Sequence, residues 1–394
     1  DSTGGSPGTD ASGVLLPPNG SIVINEVLTH SDGPEGDWIE LHNTTGDAID
    51  IGGWFLSDDP GTPLKYEIAA STTLAANAYM VFNARDHFGP ASADPGMLIP
   101  FGLSEKGDEV VVSSGSGGAQ TGYQEQESFA GADNGVTFGR HTLSDANVVF
   151  TTLETRTQGG LNSGPLVGPV VISEINYHPA FAGYEYIKIL NAGASAVPLY
   201  DVAVPANTWQ ITNGVDFTFP PNVTLAAGTH LVLVPFDPDA SPFELSNFVS
   251  LYGVGTGVEI LGPYSGGLSN GGERVSLSKA GMPDPVPPNE VPLIVVDSVK
   301  YNDVASWPTG PDGRGEALAR LDATVIGDEP TNWQGIVTRV APEGNADLVS
   351  LALSTGTLAP SFDPNTFSYT AHVAYAIDNM TVVPTAADAG ATIE

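Results

Sequence analysis

The stretch INEVLTHSDGPEGDWIELHN, residues 24–43, carries a suggestive grouping of chemically active side chains. Asp32, Glu35 and Asp37 fall close together in a segment that also contains glycine and proline, which predicts a loop. Calcium takes about six to eight oxygen ligands, and loops that converge at one end of a β-sandwich can supply them. This loop is therefore a candidate calcium site.

Two further acidic groups are candidates for the same chemistry. Asp58 and Asp59 follow a predicted strand, and Asp237 and Asp239 stand in the segment DPDAS. The second group lacks the glycine and the glutamate that a helix–loop–helix calcium motif places at its sixth and twelfth positions, so it is not such a motif. Because the chain has 46 acidic residues, small acidic clusters without bound metal remain the alternative.

Catalysis is not predicted by the remaining candidates. The alternation of a strand places Glu40 on the same face as Trp38, without a second carboxylate at a defined separation. We interpret Glu40 as a structural hydrogen-bond acceptor near an edge of the sheet. A zinc site needs three or four ligands, and His30 has no second histidine before His42, so His30 is interpreted as a loop residue. Serine-nucleophile and phosphate-loop motifs are also missing from the sequence.

The composition excludes several classes of partner. The chain has 46 acidic and 12 basic residues, a net charge of −34, and it contains no cysteine. Binding of nucleic acid or an anionic membrane depends on clustered Lys and Arg, so neither is an expected partner. Disulfides and thiolate metal sites are impossible, and no apolar run is long enough to span a membrane.

An internal repeat organises the chain. The segment VINEV at 23–27 is matched by VISEI at 171–175, and GDWIELHN at 36–43 is matched by YEYIKILN at 184–191, in both cases 148 residues later. His30 and His178 have the same separation. Short Val, Ile and aromatic runs bounded by Gly, Pro, Asn and Asp predict strands, and many short strands predict sandwiches. Runs with helical periodicity are not expected.

The motifs IVINEV, WIELHN, GGWFLSDD and LAANAYMVF, within residues 22–82, resemble the bacterial lamin-tail domain family, and the similarity extends to residue 162. The second copy resembles the family more loosely, since Lys188 stands at the position of Glu40. The resemblance implies an immunoglobulin-like fold without catalytic residues, often attached to secreted hydrolases or surface proteins. The segment after residue 345 is similar to the first half of a cadherin-like β-sandwich.

These observations predict an all-β protein of tandem immunoglobulin-like β-sandwiches. The expected parts are a flexible leader at 1–20, lamin-tail-like sandwiches at 21–165 and 166–344, and a partial cadherin-like sandwich at 345–394. The partial sandwich predicts either that the chain continues beyond Glu394, which is the more common explanation, or that another chain supplies the missing strands. Open strand edges invite such strand addition, and the apolar residues 11–18 could supply a strand.

The predicted function is non-enzymatic. We expect a secreted or cell-surface structural or adhesion protein, which could self-assemble head to tail into a fibre or surface layer. The alternative is a carbohydrate-binding or accessory region of a larger secreted hydrolase, with an extracellular glycan or surface polymer as its partner. Trp54, Trp209, Trp307 and Tyr123 are the candidates for stacking on sugar rings, although buried aromatic residues are more usual in strands.

Overall fold

The computed structural model describes residues 16–179, 184–283, 290–338, 348–363, 366, 368–377 and 379–386. Most of the predicted leader, residues 1–15, lies outside the described residues. Strands dominate, which confirms the predicted all-β class with immunoglobulin-like sandwiches. The chain forms two compact units, one of Asp1–Ser241 with Gly257–Val337 and the other of Pro242–Thr256 with Thr338–Glu394.

Eleven strands build the first sandwich: β1 (Ile22–Leu28), β2 (Trp38–Asn43), β3 (Ile49–Asp50), β4 (Phe55–Ser57), β5 (Tyr66–Glu67), β6 (Thr73–Leu74), β7 (Tyr79–Asn83), β8 (Lys106–Ser116), β9 (Ala119–Gly131), β10 (Thr137–Thr142) and β11 (Val148–Thr152). A π-helical turn, Ala84–Phe88, follows β7.

Thirteen strands build the second sandwich: β12 (Val170–Asn176), β13 (Tyr186–Asn191), β14 (Val197–Pro198), β15 (Gln210–Thr212), β16 (Val215–Thr218), β17 (Thr224–Leu225), β18 (His230–Leu233), β19 (Glu259–Leu261), β20 (Ser265–Gly266), β21 (Glu273–Ala280), β22 (Leu293–Tyr301), β23 (Glu316–Arg320) and β24 (Trp333–Val337). A 3-10 turn, Pro330–Asn332, precedes β24.

The first sheet of each sandwich has the same strand order. In the first sandwich the order is β11-β10-β1-β2-β7, and in the second it is β24-β23-β12-β13-β18, with β19 added in parallel beyond β18. The central hairpins β1–β2 and β12–β13 are antiparallel and both contain a register shift at the equivalent place. The sequence repeat therefore corresponds to a repeat of topology.

The register shift changes which residues of β1 face the core. Ile22 and Ile24 point into the core, whereas the next core residue is Val27, so the bulge moves the alternation by one position. The residues between Ile24 and Val27 face the outer side of the sheet, yet they are also buried. The same change of phase occurs in β12, where Ile172 and Ile175 both pack in the second core.

The second sheets of the two sandwiches join into one. The nine-stranded order is β20-β16-β15-β21-β22-β9-β8-β4-β5, in which β22 belongs to the second sandwich and β9 to the first. The joining pair is parallel and aligns Ile294 with Gly131. Each sandwich thus packs its own first sheet against one half of a shared sheet, which encloses two separate apolar cores.

The C-terminal unit contains four described strands and one helix. The strands are β25 (Leu348–Leu353), β26 (Thr357–Ala359), β27 (Thr370–His372) and β28 (Val382–Ala386), paired antiparallel as β25–β28 and β26–β27. The helix α1 (Pro242–Tyr252) was not expected from the sequence. Phe248 is its buried residue, so its apolar periodicity is weak, although Pro242 and Glu244 suit the first turn of a helix.

Candidate functional site

The carboxylates of Asp32 and Asp37 in the first acidic loop have different partners. Asp32 is exposed and accepts a hydrogen bond from the side-chain amide of Asn134. Asp37 is half-buried, and its Oδ2 accepts from the backbone N–H of Leu103 at 3.0 Å. Burial raises the pKa of Asp37 to about 6. Glu35 is exposed, and its backbone oxygen accepts from Arg85 N.

The other acidic residues close their own loops. Asp58 forms an ion pair with Lys65 at 2.5 Å, and Asp59 Oδ1 accepts from Gly61 N at 2.8 Å. Hydrogen bonds from the side chain of Thr62 and the backbone of Gly61 lower the pKa of Asp59. Such self-contained turns are an ordinary role of Asp in loops.

The segment before α1 behaves similarly. Asp237 Oδ1 accepts from the backbone N–H groups of Asp239 and Ala240 at 2.9 and 3.0 Å, and both aspartates are exposed. Within the part of the chain that the structure describes, no three His, Asp or Glu side chains are grouped so that they could hold a metal ion. Calcium binding at these loops stays a prediction.

A pair of buried carboxylates, Glu26 and Glu40, is the most unusual polar arrangement of the first sandwich. The two residues are cross-strand partners in β1 and β2, and both are fully buried. Glu26 accepts hydrogen bonds from Thr137 Oγ1 at 2.6 Å and from Thr157 Oγ1 at 2.7 Å. Glu40 accepts from Asn25 Nδ2 at 2.8 Å and from Gly159 N. All four of these donor groups are neutral.

The donors belong mainly to the segment that follows β11, which lies across the outer face of β1 and β2. Asn162 ties this segment down, because its Nδ2 donates to the backbone oxygens of Asn25 and Arg140 and its Oδ1 accepts from Asn25 Nδ2 at 2.7 Å. We call residues 154–163 the clasp. Glu40 is thus the structural acceptor that was expected, but β2 lies inside the sheet rather than at its edge.

The carboxylate pair is electrostatically unfavourable when both groups are ionised. Burial raises the pKa of Glu40 to about 7, the hydrogen bonds from Gly159 and Asn25 lower it, and the neighbouring Glu26 raises it further. The sequence alone pointed to Glu40 but not to Glu26. A signal was present in the repeat, since a glutamate interrupts the apolar run of both first strands, as Glu26 and as Glu174.

The second sandwich has an ion pair at the equivalent register. Glu174 faces Lys188 across β12 and β13, and the ammonium of Lys188 bonds to the carboxylate of Glu174. The hydroxyl of Tyr186 donates to the same carboxylate. His178, the repeat counterpart of His30, lies 2.6 Å from Asp312 Oδ1 through its Nδ1. His30 instead contacts Glu105 and the backbone oxygen of Ala132.

The aromatic residues named as sugar-stacking candidates separate into two groups. Trp54, Trp209 and Tyr123 are buried, and the hydroxyl of Tyr123 donates to the backbone oxygen of Ile22 at 2.6 Å, which ties the two sheets together. Trp307 is half-buried and lines a groove of about 810 Å³ where the two sandwiches meet. Of the four candidates, only Trp307 lines this groove.

The comparisons with known proteins identify the first part of the chain. The sequence model of the Lamin Tail Domain family matches residues 16–147. A crystal structure of a DUF4876 family protein from Bacteroides thetaiotaomicron VPI-5482 is similar at 12% identity, covering 82% of this chain and 97% of that one, with a TM-score of 0.29. A likeness at that TM-score carries no argument. No curated protein matches.

The matched region is therefore a lamin-tail-like domain, which confirms the family resemblance of the first sandwich. The family matched over residues 16–147 is not a catalytic one. In the part of the chain that the structure describes, none of the helices is both long and apolar enough for a membrane span.

Proposed function

We propose that this chain is a non-catalytic structural or adhesion protein of the cell exterior, secreted or surface-bound, whose two sandwiches act as one rigid unit. The nine-stranded sheet is the observation that carries the proposal, because its strands β9 and β22 belong to different sandwiches and pair with each other. Relative motion is the ordinary expectation for neighbouring domains unless their interface is extensive. A sheet shared between them opposes that motion.

The joint is also tight at the backbone. A Cβ atom added at Gly131 would lie 2.6 Å from the backbone oxygen of Leu293, so β9 and β22 approach more closely than a side chain permits. Lys279 Nζ and Asp133 Oδ2 form an ion pair across the joint at 2.6 Å, and Ser144 N donates to Glu329 Oε2 at 3.0 Å. These surface contacts are individually weak, and they add to the pairing of β9 with β22, which aligns Ile294 with Gly131.

Gly131→Val tests the proposal by forcing the joint open. Calorimetry of the parent protein is expected to show a single cooperative transition for the two sandwiches, and the variant is expected to show two. Gly164→Val is the matched control, since a Cβ there meets nothing within 4 Å, and it should leave the single transition intact. Separate transitions in the parent protein would contradict rigid coupling.

Residues 166–344 form, in this proposal, a divergent second lamin-tail-like copy, followed by a partial cadherin-like sandwich from residue 345. The shared strand order and the register shifts after Ile24 and Ile172 support the second copy. Two antiparallel pairs, β25–β28 and β26–β27, support a β-rich C-terminal part. Residues 339–347 between these parts lie outside the described residues.

Self-association by strand addition is part of the proposal. Each described strand of the C-terminal unit pairs with one other described strand, and Val349, Val382 and Val383 are about half exposed or more. Open edges with apolar side chains favour pairing with another chain. Residues 11–15 of the proposed donor segment lie outside the described residues, and Leu16 lies against Gly122 of β9.

Light scattering at near-native salt tests self-association, since the proposal expects species larger than one chain that grow with concentration. A single-chain mass at all concentrations would remove it. Location outside the cell is tested by adding protease to intact cells, which should cleave the protein if it is exposed at their surface. If protease leaves the protein intact on washed cells but cleaves it in lysates of the same cells, that result would contradict the proposed location.

Calcium at the acidic loops completes the proposal, supported by the carboxylates of Asp32, Glu35, Asp37, Asp58, Asp59, Asp237 and Asp239 in three loops. A ligand that binds only the folded state raises its stability. Millimolar calcium should therefore raise the unfolding midpoint, and equal magnesium should raise it less because magnesium demands stricter octahedral geometry. An unchanged midpoint, or equal shifts with both ions, would overturn the calcium assignment.

A further inference from the structure

A groove where the two sandwiches meet has the features of a binding site. Its volume is about 810 Å³, which falls within the range of roughly 300–1,000 Å³ typical of small-ligand sites. The first sandwich contributes residues of β9 and of the edge strand β11 to the lining, and the second contributes Asn213, the outer face of β21 and β22, and the loops that carry Trp307 and Asp328. Neither sandwich forms this groove alone.

A row of small polar side chains crosses the groove. Asn213 Nδ2 donates to Ser276 Oγ at 3.2 Å, and the hydroxyls of Ser276 and Ser298 lie 3.3 Å apart. We call these three residues the polar row. They stand on neighbouring strands, since Ser276 and Ser298 are register partners and Asn213 directly follows the partner of Ser276. Ser276 is buried and links the other two residues, whereas Asn213 is exposed and Ser298 half-buried, so these two keep capacity for further hydrogen bonds.

An arginine and a carboxylate extend the row. Arg274 Nη1 donates to Ser298 Oγ at 2.6 Å and to Asp328 Oδ2 at 3.1 Å, while Lys300 N donates to Asp328 Oδ1 at 2.6 Å. These bonds fix the orientation of the guanidinium and leave it partly exposed toward the groove. The guanidinium of Arg274 donates hydrogen bonds and the carboxylate of Asp328 accepts them. Together with the neighbouring hydroxyl they suit a ligand that both accepts and donates hydrogen bonds.

Trp307 supplies an apolar surface next to these polar groups. Its ring packs against Trp333, with centroids 6.1 Å apart, and the backbone bond from Trp307 N to Val304 O fixes the loop that carries it. Among the described residues no hydrogen bond uses its indole N–H. A half-buried tryptophan with a free N–H can stack on one face of a ligand and donate to its edge.

The charge of the groove favours a neutral ligand. Glu127 is paired with Arg140, Asp297 with Arg320, and Asp328 with Arg274, so most charges in the lining are already balanced. Among the described residues Lys300 has no ion-pair partner for its ammonium. The net charge of −34 on the whole chain nevertheless opposes the approach of a polyanion.

We infer that the groove binds a short segment of a neutral polysaccharide, with Trp307 stacked on one sugar ring and Asn213, Ser298 and Arg274 bonded to its hydroxyls. A sugar ring has apolar faces and hydroxyl groups along its edge. The groove offers Trp307 to a face of the ring and polar side chains to the hydroxyl groups. Because both sandwiches contribute to the lining, the rigid joint between them also fixes the shape of the site.

Affinity electrophoresis of the full chain tests the inference. The gels contain one neutral polysaccharide each (a β-glucan, an α-glucan, a xylan, a mannan or a galactan), and a parallel gel contains alginate as an acidic polymer. Retardation by at least one neutral polymer is expected. Trp307→Ala should weaken that binding by about tenfold or more, corresponding to about 1.4 kcal/mol. Ser298→Ala should weaken it by a smaller factor.

Phe243→Ala is the matched control, because Phe243 is an exposed aromatic residue that does not line the groove, and it should leave the binding unchanged. Circular dichroism of each variant verifies that the fold is retained. Absence of retardation by all five neutral polymers, retardation by alginate alone, or equal binding by Trp307→Ala and the parent protein would each overturn the inference.

Discussion

Glu26 and Glu40 in the first sandwich hold the same register as Glu174 and Lys188 in the second, just after the same bulge. The first pair consists of two carboxylates buried beneath the clasp. The second is an ion pair in which the carboxylate of Glu174 also accepts a hydrogen bond from a tyrosine hydroxyl. The strand order is the same in both cases. The outer face can therefore change its chemistry while the core-facing pattern preserves the topology.

A second equivalent position differs in burial. Arg140 follows the residue of β10 that pairs with Glu26, and Arg320 follows the residue of β23 that pairs with Glu174. Arg140 is partly exposed and bonds to Glu127 at 2.6 Å, with Glu125 at 3.4 Å. Arg320 is 1% exposed and bonds to Asp297, which is 4% exposed, at 2.7 Å. The first sandwich places this ion pair in contact with water, and the second encloses it.

Replacing these arginines should give the largest difference between the sandwiches. Arg320→Ala leaves Asp297 as a buried charge without its partner and should destabilise by about 3–5 kcal/mol. Arg140→Ala breaks a partly hydrated pair and should cost about 1 kcal/mol or less. Urea denaturation of both variants measures the difference. Equal costs would show that burial does not distinguish the two ion pairs.

The carboxylate pair should make stability depend on pH near neutrality. The pKa of Glu40 is about 7 in the folded protein and has an ordinary value of 4.5, so the folded state holds a proton that the unfolded state has released. Stability should therefore fall as the pH rises from about 4.5 to 7, by about 3 kcal/mol from this residue.

Glu40→Gln tests this dependence, because glutamine does not titrate. Asp37 has its own raised pKa and contributes to the slope of both proteins, so the difference between parent and variant isolates Glu40. Denaturation at several pH values between 4.5 and 8 should show a flatter slope in the variant. An unchanged slope would mean that Glu40 is ionised throughout this range in the folded protein.

Removing the anchor of the clasp should have a smaller effect. Asn162→Ala leaves the backbone oxygens of Asn25 and Arg140 without their side-chain donor and should cost about 1–3 kcal/mol. Leu161→Ala is the neighbouring control, since Leu161 is 82% exposed and its loss should cost less than about 0.5 kcal/mol. Hydrogen exchange should increase in residues 154–163 of the first variant alone. Equal hydrogen exchange in the two variants would show that Asn162 is not the residue that anchors the clasp.

The ion pair between Glu174 and Lys188 should contribute least. Lys188 is 30% exposed, so Lys188→Met retains its packing while removing a partly hydrated charge, at a cost of about 0.2–1 kcal/mol. The cost should shrink as salt is added, because salt screens exposed charges. A larger loss that does not respond to salt would indicate that Glu174 depends on Lys188 as a fully buried partner.

The sequence predicted the repeated strand pairs because a run such as VINEV combines β-branched residues with bounding turn residues in both copies. It did not predict the change of phase inside β1, since a bulge is specified by pairing with β2 and β10 rather than by residues 22–28 alone. The helix α1 was missed for a related reason. Its single buried residue, Phe248, gives no amphipathic period to recognise.

Sites were less predictable than strands because they are built from residues far apart in the chain. The acidic loops were predicted as sites from the local density of carboxylates, yet Asp32, Asp37 and Asp58 bond to separate partners in the folded chain. The clasp joins residues 25, 40 and 162, and the groove joins Asn213, Ser298 and Trp307. The spacing of these residues in the sequence does not predict their contacts. The pairing of β9 with β22 is also between residues far apart in the chain.

Rigid coupling of the two sandwiches is tested most directly by a distance measurement between them. Because the chain has no cysteine, Asp47→Cys with Ser195→Cys introduces two spin labels at exposed, repeat-equivalent turns, one in each sandwich. Double electron–electron resonance should give one narrow distance distribution, and Gly131→Val in the same background should broaden it. A broad or multiple distribution in the doubly labelled protein without Gly131→Val would contradict a shared, rigid sheet.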